Sequence, residues 1–328
     1  MSRGAALALA TALLAPAPAA AWWWPLGPAY GHPLKPIVAL EGEGHFAAVL
    51  DALSPAFLQN LRPNDLRDAY LMRGESFEAL NRPDAALGEY QLGVSLFPKS
   101  VALLVHEASL LHRDELDEHA LVLFQRALVY DRKNWRAHLG LAEIDRRLGF
   151  LDRAVTQYSL ALEEDPYDAG VWRDDAEVLL ARREPEAAEY ALGRALDIDP
   201  KSSDAHVLLA FARRAQDDLP GALAELDAAA RLGAGVGVLR AKTLWLIEAG
   251  RPTDAAVEAR VLLAQAPGDP AGLWALARAA LPSSPSRAAE ILAPLASADP
   301  EAPFSARAAE ALRKAALRPD RVAAKTSP

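Results

Sequence analysis

Apolar positions along the chain fall into columns sorted by residue size, and the columns repeat at one interval. Ala86, Ala120, Ala154, Ala188, Ala222 and Ala256 follow one another 34 residues apart. A second small column runs Gly93, Ala127, Ala161, Ala195 and Ala229 before Leu263, and a third runs Gly74, Ala108, Ala142, Ala176 and Ala210 before Leu244. Between them stands a large residue, Tyr90, Phe124, Tyr158, Leu192 and Leu226, until Arg260 interrupts the series. Antiparallel helices approach closely only where facing side chains are small and large neighbours fill the gaps, so small columns mark helix crossings. Most repeats also break near the middle, at Asn81-Arg82-Pro83, Leu148-Gly149, Arg183-Glu184-Pro185, Leu219-Pro220-Gly221 and Gly250-Arg251-Pro252. Proline is accommodated in a helix's first turn, and glycine or asparagine just past its end. The pattern predicts helix, turn, helix in every repeat.

Tyr70, Gly74, Phe77, Ala86, Tyr90 and Pro98 follow an order of aromatic, small, aromatic, alanine, aromatic and closing proline. This resembles the tetratricopeptide repeat, over six consecutive copies at 67–100, 101–134, 135–168, 169–202, 203–236 and 237–270. A shortened seventh repeat and a capping helix, Phe304 to Leu317, occupy 271–318, and the tail 319–328 is expected to be disordered. Residues 37–66 read as a degenerate leading repeat, with His45 to Leu53 as a lone second helix. The sequence departs from the family pattern at His138 and His206, which replace aromatics, and in the sixth repeat at Leu244, Arg260 and Leu263.

The resemblance implies an all-α, right-handed solenoid of stacked helix-turn-helix repeats whose first helices line a concave groove. It places groove residues at the second, fifth, ninth and twelfth positions of each repeat. They include Arg136, Leu139, Glu143, Arg146, Arg173, Glu177, Val207, Phe211, Arg214, Val238, Trp245 and Glu248. Aromatic anchors carry much of the energy of protein interfaces, so Val207 to Trp245 is the segment where a partner peptide is expected. The alternative is that Phe211 and Trp245 pack between helices. Family members that grip a C-terminal carboxylate use lysine and asparagine, whereas the matching places here hold Leu71, Val105 and Leu139, with Glu75, Ser109 and Glu143 nearby.

Ahead of the repeats, Arg3 precedes an Ala/Leu run from Ala5 to Ala15, followed by Pro16 and small residues through Ala21. This is the three-part layout of an export signal, so residues 1–21 read as a signal peptide cut near Ala19 to Ala21, leaving a periplasmic or secreted chain. The alternative is an uncleaved signal that anchors the chain to the membrane, with Trp22, Trp23 and Trp24 in the headgroup layer. After cleavage no integral membrane span is expected. Residues 22–36 contain four prolines and two glycines, which predicts a linker or docking tail.

Composition narrows the chemistry. The chain is 52% hydrophobic but 7% aromatic, consistent with helix. A formal net charge of −9 repels phosphate backbones, so nucleic acid is not an expected partner. Without cysteine there are no disulfides, thiolate metal sites or cysteine nucleophiles. His106-Glu107 is followed at residue 110 by leucine, so the zinc-peptidase spacing is missing. His112 and His119 straddle a turn and read as surface histidines. Gly233, Gly235 and Gly237 follow no strand, which argues for a flexible junction and against a phosphate loop. Arg146-Arg147, Arg182-Arg183 and Arg213-Arg214 sit near the ends of first helices, where cations offset the helix dipole; a basic ridge for an anionic glycan or acidic peptide is the alternative. No catalytic residue, metal or cofactor is expected, and a small-molecule ligand is disfavoured. The reading is a non-enzymatic scaffold or assembly factor of the cell envelope that holds segments of envelope proteins. An exported-polysaccharide handling protein of a secretion system is the alternative.

Overall fold

A computed structural model describes residues 32–297 and 304–316. The expected signal, most of the Trp/Pro-rich segment and the tail lie outside these residues. The chain divides into two compact bodies, one ending at Leu148 and the other starting at Gly149.

The N-terminal body holds α1 (Lys35–Gly42), α2 (Phe46–Ala52), the short α3 (Pro55–Leu58), then α4 (Pro63–Ala79), α5 (Pro83–Leu96), α6 (Val101–Arg113), α7 (Asp117–Tyr130) and α8 (Trp135–Arg147). The C-terminal body continues with α9 (Leu151–Glu164), α10 (Ala169–Ala181), α11 (Pro185–Ile198), α12 (Ser203–Ala215), α13 (Leu219–Arg231), α14 (Val236–Glu248), α15 (Pro252–Gln265), α16 (Pro270–Ala280), α17 (Pro285–Ala296) and α18 (Ser305–Ala316). Every element among the described residues is helical, and consecutive helices pack as pairs.

Two expectations at the front of the array change. The helix around His45–Leu53 is not alone, because α1 precedes it, with Pro36 in its first turn. Leu34, Ile37, Val49 and Leu53 join Ala69 and Met72 of α4 in one core, so the end of the Pro-rich segment is packed into the fold.

The small columns are buried as the crossing argument requires. Ala86, Ala120, Ala154, Ala188 and Ala222 are each 0% exposed, and so are Tyr90, Tyr158, Leu192 and Leu226. The large residue packs onto the small one: a methyl group at Gly74 would overlap the Tyr90 ring, and one at Gly140 would overlap Phe124. Helix starts are capped by the side chain of Asn134, which accepts from the Ala137 N–H at 3.1 Å, and likewise by Asp168, Ser202 and Asp269. Turns inside repeats use a left-handed residue at Asn81, Glu115, Gly149, Arg183 and Asp217, each 34 after the last.

The sixth repeat corrects the sequence register. After Asp217 the next left-handed residue in a turn inside a repeat is Gly250, 33 residues on, and the cap after Ser202 is Gly235, again 33 on. Helix α13 has 13 residues where α9 and α11 have 14, and Gly233 at φ 90° follows its Leu232 cap. One position has therefore been lost at the α13–α14 junction, and everything beyond has turned by about 100° relative to the numerical period. Buried Thr243, Ala259 and Leu262 stand where Leu244, Arg260 and Leu263 appeared to break the pattern. The departures belong to the counting; the repeat itself is regular. Gly235 and Gly237 form the cap and first turn of α14, in place of a flexible junction.

Replacing Ala188, 0% exposed at a crossing, by tryptophan should overpack the C-terminal body and cost about 1–3 kcal/mol or more. The exposed Ala264 of α15, treated the same way, should leave the thermal midpoint nearly unchanged. Equal midpoints for Ala188→Trp and the parent chain would contradict the crossing.

Candidate functional site

First helices of consecutive pairs lie beside one another within each body, and their outward positions form the candidate binding faces. In the N-terminal body the face is polar and cross-linked. His106 of α6 lies with Nε2 3.4 Å from Glu75 Oε1 and Nδ1 3.6 Å from Glu78 Oε1, both on α4. The Tyr90 hydroxyl donates to Glu78 at 2.6 Å. Burial, aided by neighbouring Glu78, raises the Glu75 carboxyl, although His106 and Arg136 pull the other way. Burial and the adjacent Glu75 push Glu41 up to about 7. Burial also opposes ionisation of Glu78, yet the hydrogen bonds from His106 and Tyr90 outweigh it and hold that carboxyl low.

Of the groove residues expected here, Arg136 lies with its guanidinium 5.0 Å from the Trp135 ring centre, Leu139 is half-buried, and Glu143 reaches His112 at 3.5 Å. His112 is less exposed than a surface histidine. Its ring is 18% exposed, Nδ1 is 2.7 Å from Asp117, and Arg147 binds the same carboxylate. Burial raises the Asp117 carboxyl, but His112 and Arg147 more than reverse it, so the group is held below its ordinary value.

The C-terminal body presents a different face. Arg173 is hydrogen-bonded to Asp174 at 2.9 Å, and Glu177 is exposed. Val207 is partly buried, whereas Phe211 is 46% exposed and stands edge-on to Trp245, with ring centres 5.2 Å apart. Val238 and Trp245 are corrected by the lost residue. Counted from the Gly235 cap they are the third and tenth positions of α14, buried at 7% and 9% like the corresponding Ala205 and Ala212 of α12. The groove places of α14 fall instead to Gly237, Arg240, Leu244 and Ile247. These were missed because numerical period was followed past Asp217; the cap spacing from Ser202 to Gly235 was the available signal.

The paired arginines do more than offset helix ends. Arg182 binds Asp152 and Glu184, Arg213 binds Glu189 and Glu225, and Arg214 reaches Glu248 at 3.4 Å. Three of the paired arginines are thus matched by carboxylates of the chain. Among the described residues no cluster of histidine and carboxylate side chains is arranged to hold a metal ion, and no helix is long and apolar enough to cross a membrane.

Comparison with known proteins places this geometry in a class. The chain overlays the C-terminal part of a TPR repeat-containing protein from Cytophaga hutchinsonii with TM-score 0.59 at 14% identity, covering 74% of this chain and 99% of that one. It overlays PilF of Pseudomonas aeruginosa with TM-score 0.55 at 16% identity, covering 64% and 96%. Its fold is the tetratricopeptide-repeat fold. No protein-family model matches the chain. In sequence it is 26% identical over 142 residues to the BBSome complex member bbs-4 of Caenorhabditis elegans, covering 43% of this chain and 31% of that protein. It is 27% identical over 181 residues to the human Protein O-mannosyl-transferase TMTC3, covering 50% and 19%. The chain thus spans about a third or less of the curated relatives it matches.

One buried acid tests the packing electrostatics of the C-terminal face. Asp175 of α10 is 6% exposed, its Oδ1 has no hydrogen-bond partner among the described residues, and burial raises its carboxyl to about 6 in spite of Arg182. Because the folded value is raised, the fold is favoured by the neutral acid; that contribution is full below the ordinary 3.8 and lost as pH rises through about 6. The difference amounts to at most about 3 kcal/mol. Asp175→Asn should therefore stabilise the chain at pH 7.5, with the gain vanishing at pH 3.5 in paired thermal melts. A gain that is the same at both pH values would mean the carboxylate is not disfavoured by burial.

Proposed function

We propose that the chain is a non-enzymatic scaffold or assembly factor of the cell envelope, holding segments of partner proteins against its first-helix faces. The observation that carries this reading is the exposed ring of Phe211 on an otherwise apolar strip of α12 and α14, since a half-exposed aromatic braced by a buried one is a ready interface anchor. Similar proteins lend support. One structural neighbour, Cut9, was solved in a hetero-tetramer with Hcn1 and overlays with TM-score 0.51 at 17% identity, covering 76% of this chain and 48% of that one. The sequence relative bbs-4 is named as a member of a complex. The match to TMTC3 spans 19% of that transferase, and mannosyl transfer is left with that protein.

The envelope location rests on the export layout of residues 1–21, and the mature chain on this reading starts near Trp22. Crosslinking the tagged full-length chain in cells, followed by purification from the envelope fraction, should yield discrete protein adducts. The adducts should disappear in Phe211→Ala, and N-terminal sequencing should begin between Ala20 and Trp22. Recovery of a sugar polymer without protein would overturn the scaffold reading in favour of polysaccharide handling. Recovery solely from the cytosol with Met1 retained would overturn the location.

A further inference from the structure

Away from its first-helix face, the C-terminal body has an open cleft between the second helices α13 and α15. It measures about 470 Å³, with Ala224 and Asp227 on one wall, Val257 and Glu258 on the other, and Lys242 and Leu246 of α14 between them. One repeat earlier the chain fills the same place itself. Tyr190 stands 34 before Ala224, and Arg213, 33 before Leu246, reaches out to bind Glu189 and Glu225. Ala224 and Leu246 have no such reach, so the cleft stays open. Lys242 is 15% exposed, and its ammonium joins Asp227 at 2.5 Å to Glu258 at 2.7 Å. That bridge sets the register of the two walls: Asp227 stands level with Glu258, on helices that run in the same direction. Beside the cleft, α15 carries a ridge. Val257 is 55% exposed and Val261, one turn on, 45%. Arg260 is exposed next to them and has no ion-pair partner among the described residues.

We propose that a second copy of this chain docks here, the α15 ridge of each copy entering the α13–α15 cleft of the other about a two-fold axis parallel to these helices. A contact between identical chains about a two-fold needs ridge and hollow on the same face, because each copy must supply both. Such an axis also keeps every residue at its own height. The partner's Val257, one residue before Glu258, then comes level with the stretch from Ala224 to Ala228, where methyl groups leave room for a knob. The partner's Arg260, two residues past Glu258, lies about 3 Å further along the axis, within reach of Asp227. The Asp227 side chain is 45% exposed, and a carboxylate already bound to one ammonium can accept from a second donor. A foreign helix would need only the hollow. The exposed valines and the unmatched guanidinium beside it point to a second copy. This contact goes beyond the partner-holding reading and does not use the first-helix faces.

The test is sedimentation of the full-length chain over a range of concentrations, up to about 100 μM. A reversible monomer–dimer equilibrium is expected, and the double variant Val257→Glu, Val261→Glu should weaken it by about tenfold or more. Its thermal midpoint should match the parent, since both side chains are largely in solvent. Arg260→Glu should weaken the dimer as well, by an amount that shrinks as salt is raised. The chain has no cysteine, which permits a direct check of the contact. Ala224→Cys and Val257→Cys chains, mixed and mildly oxidised, should form a disulfide between copies, whereas Ala215→Cys on α12 mixed with Val257→Cys should not. A chain that stays monomeric throughout the range would overturn the proposal. So would a dimer that the two glutamates leave undisturbed, or one that crosslinks as readily through position 215 as through 224. None of these outcomes bears on whether Phe211 captures a partner protein, so the two readings fail separately.

Discussion

The structure depends on one packing relation, a large side chain of a second helix seated on a missing or minimal side chain of a neighbouring first helix. Tyr90 occupies the space a methyl group would take at Gly74, and Phe124 does the same at Gly140. Protein interiors are filled to crystal-like density, so the Tyr90–Gly74 pairing fixes the distance between the two helices of a repeat and the Phe124–Gly140 pairing that between one repeat's second helix and the next repeat's first. It also fixes which residues are committed. The third, eighth and tenth positions of each first helix are consumed by the crossing, as Ala205, Ala210 and Ala212 illustrate with 0% exposure each. The fifth and ninth positions look outward and are released from packing, which is why one fold presents Arg173 and Glu177 on α10 but Val207 and Phe211 on α12.

That freedom is used differently in the two bodies. In the N-terminal body the outward positions are tied together by His106, Glu75, Glu78 and Tyr90, with Glu41 added from the leading helix. Partly exposed ion pairs contribute about 0–1 kcal/mol each, so such a network adds little to stability, while its directional bonds prescribe which side chains meet. In the C-terminal body Val207 and Phe211 of α12 and Leu244 and Ile247 of α14 make an apolar strip, and Asp204, Arg214 and Arg240 take the other outward places of these helices. A face already satisfied by its own partners offers little to a ligand, whereas an exposed ring such as Phe211 has apolar surface still to bury.

Much of this was legible in the sequence, for identifiable reasons. Size columns reveal crossings because sterics leave few residue types possible there, and Asn134, Asp168 and Asp269 reveal helix starts because the first N–H groups need an acceptor. The register beyond Asp217 was not legible from the columns alone. Helix α15 carries alanine at both 255 and 256, so the numerical series continues onto Ala256 while Ala255 and Ala259 do the packing. Alanine is common enough in helices to fall in step by accident, whereas caps and left-handed turn residues are tied to a hydrogen-bonding event and keep the true count. Pairings such as Arg213 with Glu189 and Glu225 were also hidden, since long charged side chains choose partners through helix proximity that no local spacing encodes.

The lost residue has a consequence for binding. Had α14 followed the numerical period, Trp245 would have faced outward at the ninth position and Glu248 at the twelfth. Turned by one position, the helix buries Trp245 beneath Phe211, in a cluster where Ala259 takes the place that bulky Leu226 holds in the preceding repeat. The indole thus restores interior volume that the second helix no longer supplies. Outward, the same rotation replaces a tryptophan and a glutamate with Leu244 and Ile247, extending the apolar strip that begins at Val207. A one-residue shortening at Gly233 therefore couples core repair to surface chemistry, and the anchor on α12 owes its rigid support to a residue displaced from the face it would otherwise have formed.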